Sequence, residues 1–204
     1  MVEIAATTGL VPEGRTAPFG ASMIVEPEAL ATGTQAVLAM LETALNENDA
    51  IDGIIVAAFG DPGLATLRTH PQVLARRICT CGIGEASFLE AGANGRRFAV
   101  ATTTPALEAS IASAVKASGM EAGFLGSFFT TGDPFAAVSD PAVLTDLLGE
   151  AVEAGVKAGA EAVIIGGGPL ARAAIALSKR YSLPIIEPVP AAARLMAKRI
   201  ATRT

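Results

Sequence analysis

The chain has 204 residues, a formal net charge of −5, 51% hydrophobic residues and only 4% aromatic ones. That length can bury one sizeable core or two small ones, and an acidic chain with no Lys/Arg block is a poor match to nucleic acid. Charged residues interrupt every apolar run before the roughly 18 residues of a bilayer-spanning helix, and the start Met-Val-Glu-Ile-Ala-Ala is not a basic region followed by a long apolar stretch, so no membrane partner and a cytoplasmic location are expected.

In chain order, the periodicity predicts a strand near 2–7, a helix near 27–46, a strand at 53–58, a helix at 63–77, a strand at 78–82 and a helix at 84–93. It continues with a strand at 97–102, a helix at 105–118, a strand at 121–126, a helix at 140–158, a strand at 161–166, a helix at 169–181, a strand at 184–187 and a helix at 188–201. Asp61-Pro62, Asp140-Pro141 and Glu187-Pro188 each put an acidic residue and a proline at a helix entrance. Alternating strands and helices, with strands apolar on both faces, indicate parallel sheet and an α/β class.

An internal repeat organises these elements. Asp52–Phe59 and Glu161–Gly168 each run from an acidic residue through a buried-strand segment into a small-residue turn, followed by Pro-Gly-Leu or Pro-Leu. Strand 78–82 then corresponds to 184–187, and strand 2–7 with helix 27–46 corresponds to 121–126 with 140–158. The chain therefore reads as two pseudo-symmetric α/β halves, 1–94 plus 184–204 and 95–183, hinged at Gly92-Ala93-Asn94-Gly95, with a site between them. Strand 97–102 and helix 105–118 have no counterpart ahead of Val2. The first half is thus expected to lack its opening strand and helix, through truncation or a misassigned start.

The turns that follow the strands hold the candidate chemistry, because ligands of parallel sheets bind at strand carboxyl ends. Ala57-Ala58-Phe59-Gly60-Asp61-Pro62-Gly63-Leu64 lets backbone approach a ligand at Gly60 and Gly63, and Asp61 reads first as a helix cap. Gly166-Gly167-Gly168 can present N–H groups to an oxyanion or carboxylate, or can simply be a tight turn. Thr102-Thr103-Thr104-Pro105 offers hydroxyls to a ligand and a cap to the next helix. Gly82-Ile83-Gly84-Glu85-Ala86-Ser87 is a poor dinucleotide fingerprint, since Ser87 replaces the third small residue and the next strand ends without an acid. His70, the single histidine, reads as a loop or cap residue. Cys79 and Cys81 share one strand face as small core residues, with no further His or Cys to complete a metal site. The 127–139 stretch, with three Phe, is long for a strand-to-helix loop and is expected either to cover a site or to be pinned by buried rings.

Phe-Gly-Asp-Pro-Gly-Leu at 59–64, Gly-Ile-Gly-Glu-Ala at 82–86 and the strand–Gly–Gly segment at 163–168 resemble the aspartate/glutamate/hydantoin racemase superfamily, its hydantoin racemase branch most closely. The resemblance runs from about residue 2 to 201. It implies two facing α/β halves, no metal or organic cofactor, and a homo-oligomer that binds a small carboxylate, an amino-acid derivative or a hydantoin-like ring. It also implies proton transfer at a carbon beside a carbonyl by two cysteines, one per half. Those cysteine positions correspond to Ala58 and Gly167, neither of which moves a proton. The retained cradle is Phe59, Gly60, Thr102, Thr103 and Gly166–Gly168. The family's opening Asn-Pro-Asn-Thr-type segment has no match. Two expectations follow: a divergent enzyme that moves the proton with Asp61, Glu85 or Cys81, or a catalytically inactive ligand-binding or structural homologue.

Overall fold

Runs that are apolar on both faces pair in parallel and sink into the interior. In a computed structural model describing residues 2–47 and 50–203, β1 (Gly53–Val56) pairs in parallel with β2 (Cys79–Gly82), Gly53 opposite Cys79. A second parallel sheet has the order β4-β3-β5-β6, from Phe124–Phe129, Phe98–Thr102, Ala162–Ile165 and Ile185–Ile186 respectively. Every residue of β3 and β5 is buried.

Helices cover these sheets and carry the signals that start them. Helix α1 spans Val2–Ala6 and α2 spans Pro27–Glu47. Leu41 and Leu45 of α2 join Val56 and Leu67 in the outer core of the first half. The helix expected over 63–77 is two helices, α3 (Leu64–Thr69) and α4 (Pro71–Ala75), because Pro71 has no N–H and His70 is extended at φ −66, ψ 128. Helix α5 (Ile83–Ala91) follows β2 directly, and α6 (Glu108–Ala117) follows β3. A helix absent from the sequence expectation, α7 (Pro134–Ser139), starts where Asp133 accepts a 2.8 Å hydrogen bond from the Ala136 N–H. Asp140 does the same for α8 (Pro141–Lys157), accepting from the Ala142 and Val143 N–H groups at 2.9 and 3.3 Å. Helices α9 (Ala171–Ser178) and α10 (Pro188–Ala201) complete the order.

The strand expected at 2–7 is a correction: these residues form α1 instead. Val-Glu-Ile-Ala-Ala is too short for its apolar pattern to separate strand from helix, its Ala and Glu favour helix, and the segment packs on α10 rather than on a sheet. The Thr8 hydroxyl donates to the Ala5 carbonyl at 2.7 Å and closes the turn. Among the described residues the first sheet therefore has counterparts of β5 and β6 but none of β3 or β4. Strand β6 hydrogen-bonds to β5, whereas α10 crosses back onto α5, β1 and β2 of the first half. One core consequently runs through both halves: Cys81, Ile83 and Phe88 of the first pack in the same cluster as Phe98, Val100 and Ile164 of the second. Among the described residues, no helix is long and apolar enough to cross a membrane.

Candidate small-molecule site between the halves

The carboxyl ends of β1, β3 and β5 converge on one cavity of about 260 Å³. The turn after β1 brings Ala57, Ala58 and Phe59. The turn after β3 brings Thr103 and Thr104, with Leu107 beyond them. The turn after β5 brings Gly166 to Leu170. Two further walls carry no signal in the strand-end motifs: Ala21 to Ile24 from the long loop before α2, and Val138 from α7. The 127–139 stretch is not the long loop expected, since 127–129 belong to β4 and 134–139 form α7, but it touches the cavity through Val138.

Ala58 and Gly167, equivalent in the repeat, line this cavity together. Gly167 adopts φ 156 and ψ 138, a conformation L-residues rarely take, and a Cβ there would lie 3.1 Å from the Leu170 side chain. Phe59 is half-buried. Its ring meets Phe88 edge-on, with centroids 5.8 Å apart, and lies where a Cβ on Gly166 would come within 2.7 Å of it. Phe59 is thus a wall fixed by packing across the two halves.

The three threonines divide their roles. The Thr102 hydroxyl is fully buried, donates to the Gly166 carbonyl at 2.7 Å and sits 3.2 Å from the Thr104 hydroxyl. It ties the end of β3 to the end of β5 and is not on the cavity wall. Thr103 is on the wall, only 3% exposed, and its hydroxyl has no hydrogen-bond partner among the described residues. The Gly167 and Gly168 N–H groups are likewise without an intramolecular acceptor among the described residues. Gly60 stands outside the lining, against Leu30.

The candidate proton carriers lie elsewhere. Asp61, at φ 51, accepts hydrogen bonds from the Gly84 N–H at 2.8 Å and the Glu85 N–H at 2.6 Å. It does cap a helix, but the helix is α5, reached across the β1–β2 crevice. Gly82 is required there, because any Cβ would overlap the Asp61 carboxylate. Burial pushes the Asp61 carboxyl up to about 6, against the downward pull of the two N–H donors. Glu85 is 8% exposed and sits between Arg68, at 2.6 Å, and Arg199, at 3.0 Å. Burial alone would raise its carboxyl, but hydrogen bonds and charge from Arg199 and Arg68 outweigh that and hold it below the usual carboxylate value. Cys81 is fully buried, its thiol 3.7 Å from the Ala192 carbonyl, and burial pushes it up to about 12, so it stays a protonated core thiol. None of the three lines the cavity, and no lining residue carries an ionisable side chain. Among the described residues, no group of three or more His, Cys, Asp or Glu side chains could hold a metal ion.

Parallel strands alternating with helices, with the ends of β1, β3 and β5 meeting at one cavity, define an α/β protein of two parallel sheets. The chain belongs to the Asp/Glu/hydantoin racemase family, whose sequence profile matches residues 3–196. It is 28% identical over 151 residues to a hydantoin racemase of Pseudomonas sp. (strain NS671), an alignment that covers 74% of this chain and 59% of that protein's length. Its fold is similar to allantoin racemase from Pseudomonas fluorescens, with a TM-score of 0.83 at 20% identity, covering 98% of this chain and 83% of that one. Allantoin racemase from Klebsiella pneumoniae matches with a TM-score of 0.78 at 23% identity, covering 98% and 80%.

Proposed function

We propose that the cavity binds a small, uncharged or singly charged cyclic amide of the hydantoin type, and that the chain as it stands binds this ligand without moving a proton on it. The observation that carries the reading is the character of the wall: mostly apolar side chains, with Ser22, Thr103 and Thr104 and the Gly167 and Gly168 N–H groups as its polar elements, and no ionisable side chain in the lining. A dicarboxylate entering this cavity would lose hydration that no cationic group replaces. A cyclic ureide brings carbonyl acceptors for the N–H groups and the hydroxyls, and an apolar substituent for the face made by Met23, Leu107 and Leu170. Racemisation needs an acid–base group on each face of the planar intermediate. Ala58 and Gly167 occupy the two repeat-related positions, and neither titrates. Family membership and the likeness to the hydantoin racemase support the ligand class.

The test joins binding to exchange. Saturation-transfer NMR with 5-alkyl hydantoins, allantoin-like rings, aspartate and glutamate should detect the rings and not the dicarboxylates. Replacing Thr103 with Val should weaken ring binding about tenfold, the value of one hydrogen bond near 1.4 kcal/mol. Deuterium uptake at the ring carbon, followed by proton NMR, should stay at the buffer rate. Uptake well above buffer would replace the binder with the divergent enzyme, and no ring binding at millimolar concentration would remove the ligand assignment.

A further inference from the structure

The turn after β1 gives Ala57, Ala58 and Phe59 to the cavity, and a side chain outside the lining holds it in shape. Gly60, Asp61 and Gly63 all have positive φ, at 100, 51 and 76. Two of them are glycines, for which this conformation is free. Asp61 is the L-residue among them and carries the strain. Its N–H donates to the Ala58 carbonyl at 3.0 Å, closing a turn with Phe59 and Gly60 at its centre. Its carboxylate takes the Gly84 and Glu85 N–H groups at 2.8 and 2.6 Å. These belong to the first turn of α5, where N–H groups have no partner within the helix. The start of α5 is shaped around this carboxylate: besides the overlap at Gly82, a Cβ on Gly84 would lie 2.9 Å from Asp61 Oδ2.

The second half has no such clamp. Its equivalent turn, Gly166 to Leu170, contains no acid, and α10, the repeat counterpart of α5, has Pro190 where α5 has Glu85. Proline has no N–H to donate. Of the two repeat-related walls, only the one bearing Ala58 and Phe59 is therefore fixed by a charge.

That charge can be removed by a proton. A carboxylate is acceptor-only and takes both N–H groups at once. Protonation turns one oxygen into a hydroxyl and leaves the other a neutral acceptor, about half as strong. The strained φ of Asp61 then loses the bonds that hold it. Burial raises the carboxyl to about 6; the two N–H groups and Arg68 of α3 oppose the rise, and the Glu85 charge adds to it. Arg199 of α10, which grips Glu85, and the Cys81 thiol of β2 complete the charged and titratable groups around it.

Resting on the ring-binding function above, we propose that Asp61 is a positioning residue of the cavity: its carboxylate clamps the Ala58–Phe59 wall to the start of α5, so the ring is held while Asp61 is ionised and released as Asp61 takes up a proton. The site is thus gated by pH although none of its lining side chains titrates. Protonation leaves the fold standing, since it also relieves the burial of the charge. What it loosens is the turn.

Affinity for a 5-alkyl hydantoin is measured by isothermal titration calorimetry from about pH 5 to about pH 7.5. With a carboxyl titrating at about 6, roughly one chain in ten keeps the carboxylate at the lower limit, so Kd should be about tenfold weaker there than at the upper limit. Linkage demands the converse. At saturating ring the carbon-13 titration midpoint of Asp61 should fall by about one pH unit. D61N keeps one acceptor and cannot ionise. It should bind the ring about tenfold more weakly than the native chain at the upper pH, with a flat profile that assigns the dependence to Asp61 and not to His70 on Glu42. If D61N fails to fold, the two measurements on the native chain still carry the test. A merely structural Asp61 would move the unfolding midpoint with pH but leave the Kd profile flat and the carbon midpoint unmoved by ring. That result overturns the proposal and leaves ring binding itself standing, as does a folded D61N that binds like the native chain. Absence of ring binding at every pH removes the ligand assignment, and this proposal with it.

Discussion

Replacing Glu85 with Gln removes the charge on which Arg68 and Arg199 converge, and with it a link between α5, α3 and α10. Breaking a fully buried ion pair costs about 3–5 kcal/mol. Here the carboxylate is buried, but the side chains of Arg68 and Arg199 are 41% and 30% exposed, so water takes over part of their solvation. The Gln amide also keeps one acceptor for them. We expect a loss of about 2 kcal/mol at neutral pH, measured as a shift in the midpoint of urea unfolding followed by far-UV circular dichroism. The pH dependence gives a second check. The Glu85 carboxyl is held below its ordinary 4.5, so its stabilising contribution is present above that value and is lost as pH falls through the folded-state value. The gap between the native chain and E85Q should therefore close progressively below pH 4.5. A loss smaller than about 0.5 kcal/mol at neutral pH, or a gap that does not change with acidification, refutes the account of Glu85 as a structural anion.

Asp61 should behave in the opposite sense. Its carboxyl carbon is expected to titrate near 6 by carbon-13 NMR, so its contribution is most favourable below 3.8 and is lost as pH rises through 6, a slope worth up to about 3 kcal/mol that D61N should flatten in pH-dependent urea unfolding. Thr102→Val should cost about 1–2 kcal/mol by breaking the buried bond to the Gly166 carbonyl, whereas Thr103→Val should change the unfolding midpoint little and act on ligand binding instead. Gly167→Ala should destabilise by about 1–3 kcal/mol through its backbone conformation, while Ala58→Cys should be nearly neutral, both read by differential scanning calorimetry against the native chain. If G167A melts with the native chain, the turn after β5 is more adaptable than its φ and ψ imply.

Much of this architecture is legible in the residues because it rests on local rules. Ala162–Ile165 and Phe98–Thr102 are apolar on both faces, which is what a parallel interior strand requires. Glu187-Pro188 fixes the start of α10 at the expected residue, since proline suits the first helical turn. Val2–Ala6 fails the same treatment: five residues with one Glu and two Ala satisfy either period, and the choice is made by packing on α10, nearly 200 residues away in sequence. Asp61 is a half-legible case. Its capping role is visible in Asp-Pro-Gly, but the helix it caps begins beyond a second strand, and only the fold brings Gly84 and Glu85 to it. The walls from Ala21–Ile24 are illegible, because a surface loop with no periodic signal becomes part of a site only through where the chain folds it. Thr102 and Thr103 are identical in sequence terms. Strand alternation sends one hydroxyl inward to Gly166 and the other to the cavity.

The core that passes beneath the cavity, fastened by α10 returning from β6, bears on kinetics. Two lobes sharing one interior cannot swing apart to admit a guest without exposing Phe88, Phe98 and Ile164 to water. A ligand of the proposed site would then pass the walls that are not strand ends, Ala21–Ile24 and Val138 of α7. Residence times should accordingly follow substitutions at Ala21–Ile24 and Val138, while the rigid floor sets which shapes are admitted.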